Sequence, residues 1–209
     1  MLMTSELIFE ILNIIAIAVF AFTGFIVAAK KNMDIFGIIV IGEITALAGG
    51  TFRDILIPRT IIWIEHVEFL APAVIAGIIF FYLHKKMNFD RRALLYFDGL
   101  GVALFSIDGS KIASQFYTDP VIIITLGLIT GIVGGIVRDI MCNQVPVVFQ
   151  KDLYAVCIIL GCSLYVILNY LHINPNINYG ISILAIIIIR FWSIHKRVNW
   201  PGYLDWNRE

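Results

Sequence analysis

The sequence predicts an all-α polytopic membrane protein with seven transmembrane helices, built as two inverted three-helix repeats plus a seventh helix. Three observations predict it. The chain of 209 residues is 60% hydrophobic and 14% charged, with a mean hydropathy of +0.91. It contains seven apolar runs long enough to cross a bilayer, and two of those runs carry nearly the same twelve residues.

Composition comes first. A soluble domain carries roughly a quarter charged residues, so this chain has too little polar surface to cover a globule in water. Its formal net charge is zero, which gives no sign of nucleic-acid binding. There is no low-complexity tract or hydrophilic insert, and 1–209 reads as one membrane domain. The N-terminus, with Glu6 and Glu10 and no basic segment before its apolar run, reads as a retained helix rather than a secretory signal. The three cysteines, Cys142, Cys157 and Cys162, form no CxxC pair and read as buried thiols.

A spanning helix needs about 20 apolar residues, because the hydrocarbon layer is about 30 Å thick. On that count the spans lie at roughly 7–29, 35–57, 69–84, 94–116, 120–142, 152–171 and 178–194. The fourth is the least apolar, since it contains Asp98, Asp108 and Lys111. If the spans alternate, Lys30, Lys31, Lys85, Lys86, Arg91, Arg92, Lys151, Arg190, Lys196, Arg197 and Arg208 fall on one side. Only Arg59 falls on the other. The positive-inside rule then places the N-terminus outside and the C-terminus in the cytoplasm. Arg53, Lys111 and Arg138 remain inside spans and need a separate explanation.

Residues 44–55 read "ITALAGGTFRDI" and residues 129–140 read "ITGIVGGIVRDI"; seven of the twelve positions are identical, at an offset of 85. The same offset aligns Phe20 with Phe105, Gly24 with Gly109, Asp34 with Asp119 and Gly42 with Gly127. Repeat one thus covers about 7–84 and repeat two about 94–171, leaving the helix at about 178–194 over. Each unit has an odd number of spans, so the second copy enters the membrane from the opposite side. Inverted repeats of this kind are typical of transporters and related permeation proteins.

Within the motif, Gly49, Gly50, Gly134 and Gly135 permit either a kink or the close approach of another backbone. The equivalent placement of the two pairs favours the kink, with freed carbonyls facing a polar path. Arg53, Asp54, Arg138 and Asp139 are costly at membrane depth and must face protein or water. Pairing across the halves, Arg53 with Asp139 and Arg138 with Asp54, is the expected arrangement. It would either lock the halves together or line and gate a path. Asp108 and Lys111 share a helix face in the fourth span, and Thr23 stands where Asp108 stands in the other half, so this charge pair breaks the internal symmetry. Glu43 starts the helix turn leading into the first motif. Thr45 and Thr130 either offer hydroxyls to a path or bond their own helix. Pro58 and Pro146 end or bend the helices after the motifs. The four histidines have no partner at metal-ligand spacing, and no nucleotide-binding or hydrolase motif occurs. No metal site and no enzymatic role are assigned.

Two copies of the Gly-Gly-x-x-Arg-Asp motif in a seven-span chain of this length resemble the prokaryotic branch of the trimeric intracellular cation (TRIC) channel family. Bacterial sequences with the same duplicated domain are also described as glycine transporters. The resemblance implies a homotrimer in a prokaryotic inner membrane, surrounded by lipid, with a pore inside each protomer. It implies kinks at the glycines of the second and fifth helices and permeation by monovalent cations, chiefly K+, with no other cofactor. Lys111 resembles a fourth-helix lysine tied to gating. One departure stands out: the family motif is usually three glycines, and here Ala48 and Val133 occupy the first position. A secondary transporter of a small zwitterion such as glycine is the alternative, with Arg binding the carboxylate and Asp the ammonium. A scaffold whose charges bind only its own helices is the third.

Overall fold

The computed structural model describes residues 2–84, 89–150 and 153–198, with side chains from Ile11 onward. All regular structure among these residues is helical. The helices are α1 (Leu2–Lys30), α2 (Ile35–Leu56), α3 (Ile62–Glu65), α4 (Ala71–Leu83), α5 (Arg91–Ala113), α6 (Pro120–Met141), α7 (Ala155–Tyr170) and α8 (Pro175–Lys196). Five of them are long and apolar enough to cross a membrane: α1, α2, α5, α6 and α8. Two shorter apolar helices, Val67–Leu83 and Ala155–Tyr170, stand where the third and sixth spans are expected. The short α3 and the 3-10 turns Val67–Phe69 and Val147–Phe149 are additions that hydropathy does not signal.

Helix starts follow from local chemistry. Asp34 and Asp119 occupy equivalent positions and cap α2 and α6, accepting from Gly37 N and Val121 N, each at 2.8 Å. Asp90 caps α5 by accepting from Ala93 N at 2.7 Å. Each satisfies an amide that the first turn leaves without a helical partner. At the other end, α2 stops at Leu56, two residues before Pro58, with Ile57 extended, as the restriction on a pre-proline residue requires.

α5 is the central element, packing against α1, α2, α6, α7 and α8. Phe20 and Phe105, equivalent by the 85-residue offset, meet with ring centroids 5.4 Å apart. Phe22 is ringed by Phe80, Phe89 and Phe97 at 4.9–5.4 Å. The outside carries many large apolar side chains: Phe36, Ile55, Val121 and Ile188 are all well exposed. Such a surface suits lipid and would aggregate in water.

α2 and α6 cross in antiparallel fashion at their glycines. A Cβ on Gly49 would stand 2.1 Å from the carbonyl oxygen of Thr130, and a Cβ on Gly134 would stand 2.1 Å from that of Thr45. No side chain fits there. Both helices run on as α-helix past their glycine pairs, which do not end them. The first glycine of each pair instead lets two backbones touch.

Candidate functional site

The motif residues that follow the crossing build two ionic clusters. In the first, Arg53 donates to Asp54 Oδ1 through Nε at 2.9 Å and lies within 2.8 Å through Nη2. Its Nη1 reaches Asp108 Oδ2 at 3.4 Å. Asp54 Oδ2 accepts from Ile62 N, the first residue of α3, at 3.1 Å. In the second, Arg138 Nε donates to Asp139 Oδ1 at 2.8 Å, and Asp139 Oδ2 accepts from Val147 N at 3.0 Å. Ile62 and Val147 are again 85 residues apart. The short α3 and the Val147 turn therefore serve one purpose: each folds an amide back onto a buried carboxylate.

The sequence expectation of cross-pairing between the halves is overturned. Each arginine bonds the aspartate that follows it in the chain. The antiparallel crossing explains this. α2 and α6 meet near residues 45–49 and 130–134, then run to opposite ends. Arg53 and Asp139 are thereby separated by about 13 residues of helix rise, roughly 20 Å.

What does cross between helices is the third group of each cluster. Arg138 Nη1 donates to Asp98 Oδ1 at 2.8 Å and to Thr23 Oγ1 at 2.7 Å. Both arginines thus find a second carboxylate on α5, ten residues apart: Asp108 for Arg53 and Asp98 for Arg138. On α1 the equivalent positions are Asn13 and Thr23, which are neutral. Asn13 lines a small cavity with Gly50, Arg53, Phe105 and Asp108. The Arg53 cluster is partly open, with the Asp108 side chain 18% exposed and Arg59 Nε lying 3.9 Å from Asp54. The Arg138–Asp98 pair is closed, with both side chains at 0%.

The remaining candidates fall as follows. Thr45 and Thr130 bond their own helix, donating to Ile41 O at 2.5 Å and Leu126 O at 2.6 Å, and their hydroxyls fill the notches at Gly24 and Gly109. Gly50 and Gly135 face the guanidinium groups: a Cβ there would lie 3.8 Å from Arg53 Nη2 and 3.7 Å from Arg138 Nη2. Lys111 Nζ sits 5.6 Å from the centroid of the Tyr179 ring. Glu43 lines an apolar groove with Thr51, Trp63 and Val74, away from both clusters. Cys142, Cys157 and Cys162 are buried. Lys85, Lys86, Lys151 and Arg208 lie outside the described residues.

Sequence reasoning missed two residues. Asp98 counted only as a blemish in span four; its offset partner, Asn13, is neutral, so the two halves differ in charge there. Arg190 was grouped with the cytoplasmic basic residues. The structure corrects this: the side chain is 1% exposed, with its guanidinium carbon 4.6 Å from the Tyr154 ring centroid. Hydropathy counting cannot distinguish an arginine turned inward near a helix end from one facing the membrane surface.

The chain superposes on the TRIC trimeric intracellular cation channel orthologue from Rhodobacter sphaeroides with a TM-score of 0.87. That match has 28% identity and covers 91% of this chain and 99% of that one. A second prokaryotic TRIC channel gives a TM-score of 0.85 at 29% identity, covering 93% and 99%. The UPF0126 inner membrane protein YadS of Escherichia coli is 29% identical over 200 residues, 94% of this chain and 97% of YadS. A UPF0126 membrane protein of Deinococcus radiodurans is 30% identical over 193 residues, 91% of this chain and 89% of its own. The family model described as glycine transporter matches twice, over residues 10–85 and 95–170. The chain belongs to this duplicated family, the prokaryotic branch of the TRIC family. The two matches stand at the offset already seen in the motif, and together they span α1 to α7 of this TRIC-family membrane protein. Its relatives and apolar helices make it a multi-pass inner-membrane protein.

Proposed function

We propose that this protein is a monovalent cation channel, K+ being the chief ion, with a path inside each protomer of a homotrimer. The observation that carries the reading is the placement of two arginine–aspartate clusters ten residues apart along one central helix, α5, in a chain built like the prokaryotic TRIC channels. Two inverted three-helix units, one of α1, α2 and α4 and the other of α5, α6 and α7, explain that placement, and the antiparallel α2–α6 crossing supports it. In the Arg53 cluster the formal charges of Arg53, Arg59, Asp54 and Asp108 sum to zero. Asp108 then offers a cation a carboxylate oxygen beside neutralised guanidinium groups. The closed Arg138–Asp98 pair is the gate, and the Gly50 and Gly135 notches leave room for the guanidinium groups to move.

A glycine carrier needs an arginine to hold the substrate carboxylate. Here Arg53 and Arg138 each already hold two carboxylates of the chain itself, which favours the channel. Purified protein in planar bilayers is expected to give unitary currents that reverse at the K+ equilibrium potential. Saturable glycine uptake without unitary currents would overturn the channel reading.

The inverted arrangement, with the N-terminus outside, has its own test. Thr60 and Val145 are exposed and stand at equivalent positions after the two motifs. Thr60→Cys is expected to react with an impermeant maleimide from outside the cell, and Val145→Cys only after the cytoplasmic face is opened. Labelling of both from one side sinks the inversion.

A further inference from the structure

We infer that Arg190 is a tethered blocking cation, occupying at the Asp98 end of the path a site that a permeant ion must use. This rests on the channel reading. Arg190 belongs to α8, which lies outside both copies of the duplicated unit, so nothing in the repeat demands an arginine there.

Its surroundings are specific. The stem packs on Gly99, where a Cβ would come within 2.9 Å of Arg190 Cγ. The guanidinium lies over the Tyr154 ring. Nε, Nη1 and Nη2 are all buried, and none has a hydrogen-bond partner among the described residues. Tyr154 connects this group to the gate: its Oη, Asp98 Oδ1 and Arg138 Nη2 all lie 3.7 Å from the point where a Cβ on Gly135 would stand. Asp98 Oδ2 is likewise buried without a partner.

A structural bolt does not look like this. An arginine that only fastens helices is held by carboxylates or carbonyls, because an unsatisfied buried guanidinium is costly. Arg53 and Arg138 are fastened in that way, and among the described residues Arg190 is not. What surrounds it is an aromatic face with a carboxylate beyond, the chemistry that attracts a partly dehydrated monovalent cation. Charge gives the same answer. Arg138, Asp98 and Asp139 sum formally to −1, and Arg190 brings the cluster to zero. When the Arg190 side chain withdraws along α8 towards Lys196, the cluster regains its negative charge, and Asp98 Oδ2, already without a partner, faces the vacated space.

The test is single-channel recording of Arg190→Gln in planar bilayers beside the unsubstituted protein. Unitary cation currents from the unsubstituted protein establish the channel reading independently; their absence defeats that reading and not the assignment of Arg190 alone. Arg190→Gln is expected to raise the ratio of open to closed time roughly tenfold, equivalent to about 1.4 kcal/mol of lost closed-state interaction. Millimolar guanidinium added to one chamber is expected to restore closures in Arg190→Gln and to leave the unsubstituted protein unaffected. Unchanged gating with lowered thermal stability makes Arg190 a packing residue and overturns the inference. If Arg190→Gln does not assemble, Tyr154→Leu removes the ring and keeps the charge. A raised open fraction again supports the inference, and an unchanged one overturns it.

Discussion

Gly49→Ala and Gly134→Ala are expected to abolish recovery of folded protein, while Gly50→Ala and Gly135→Ala are expected to fold. The four glycines look alike in the motif, but their surroundings differ in kind. A methyl on Gly49 or Gly134 meets a backbone carbonyl oxygen of the opposing helix at 2.1 Å. Backbone cannot rotate aside as a side chain does, so α2 and α6 must separate along their whole crossing. Overpacking that side chains can absorb costs about 1–3 kcal/mol, and this clash lies at or above the top of that range. A methyl on Gly50 or Gly135 comes no nearer than 3.7 Å to any group outside its own helix, and the groups it meets include the arginine head groups. Those two substitutions are expected to keep the fold and change the ease with which the guanidinium groups move, so their effect belongs in the currents. Size-exclusion profiles and thermal unfolding in detergent separate the pairs. Equal loss of fold in all four variants would count against this division of labour.

The second large effect is electrostatic. Arg138→Gln is expected to destabilise far more than Arg53→Gln. Removing Arg138 leaves two carboxylates, Asp98 and Asp139, with side chains at 0% and 3% exposure. Breaking a buried pair by removing one partner costs about 3–5 kcal/mol. Each motif aspartate keeps its backbone amide in either case, but removing Arg53 leaves Asp54 with Arg59 nearby and Asp108 partly solvated, so the loss is smaller. Adding Asp98→Asn to Arg138→Gln removes one of the stranded charges and is expected to recover part of the stability. Thermal unfolding of the three variants checks the order. If Arg53→Gln proves as damaging as Arg138→Gln, the contrast between an open and a closed cluster is wrong.

Much of this architecture was legible in the residues. Apolar runs mark the five long helices and the two shorter apolar ones to within a few residues, because burial in lipid demands continuous apolar character whatever the neighbours. Asp34 and Asp119 announce their helix starts, since a cap is a local bond. The duplicated motif reveals the two halves because both copies solve the same packing problem, a close crossing followed by an ion pair.

Partner choice was not legible. Arg53 and Arg138 pair with the next residue and with α5, not with each other's aspartates, because an antiparallel crossing carries the two motif ends apart. The short helix at 62–65 and the turn at 147–149 exist to aim one amide each at a carboxylate, and neither leaves a hydropathy signal. Arg190 is the clearest case. In sequence it is one more basic residue near a helix end, and only the packing of α8 against α5 turns it inward over Tyr154. Sequence by itself determined where the apolar helices lie and that one motif occurs twice; tertiary structure decided which charges meet. Hydrophobicity is a property summed along a segment, whereas an ion pair depends on where two distant segments cross.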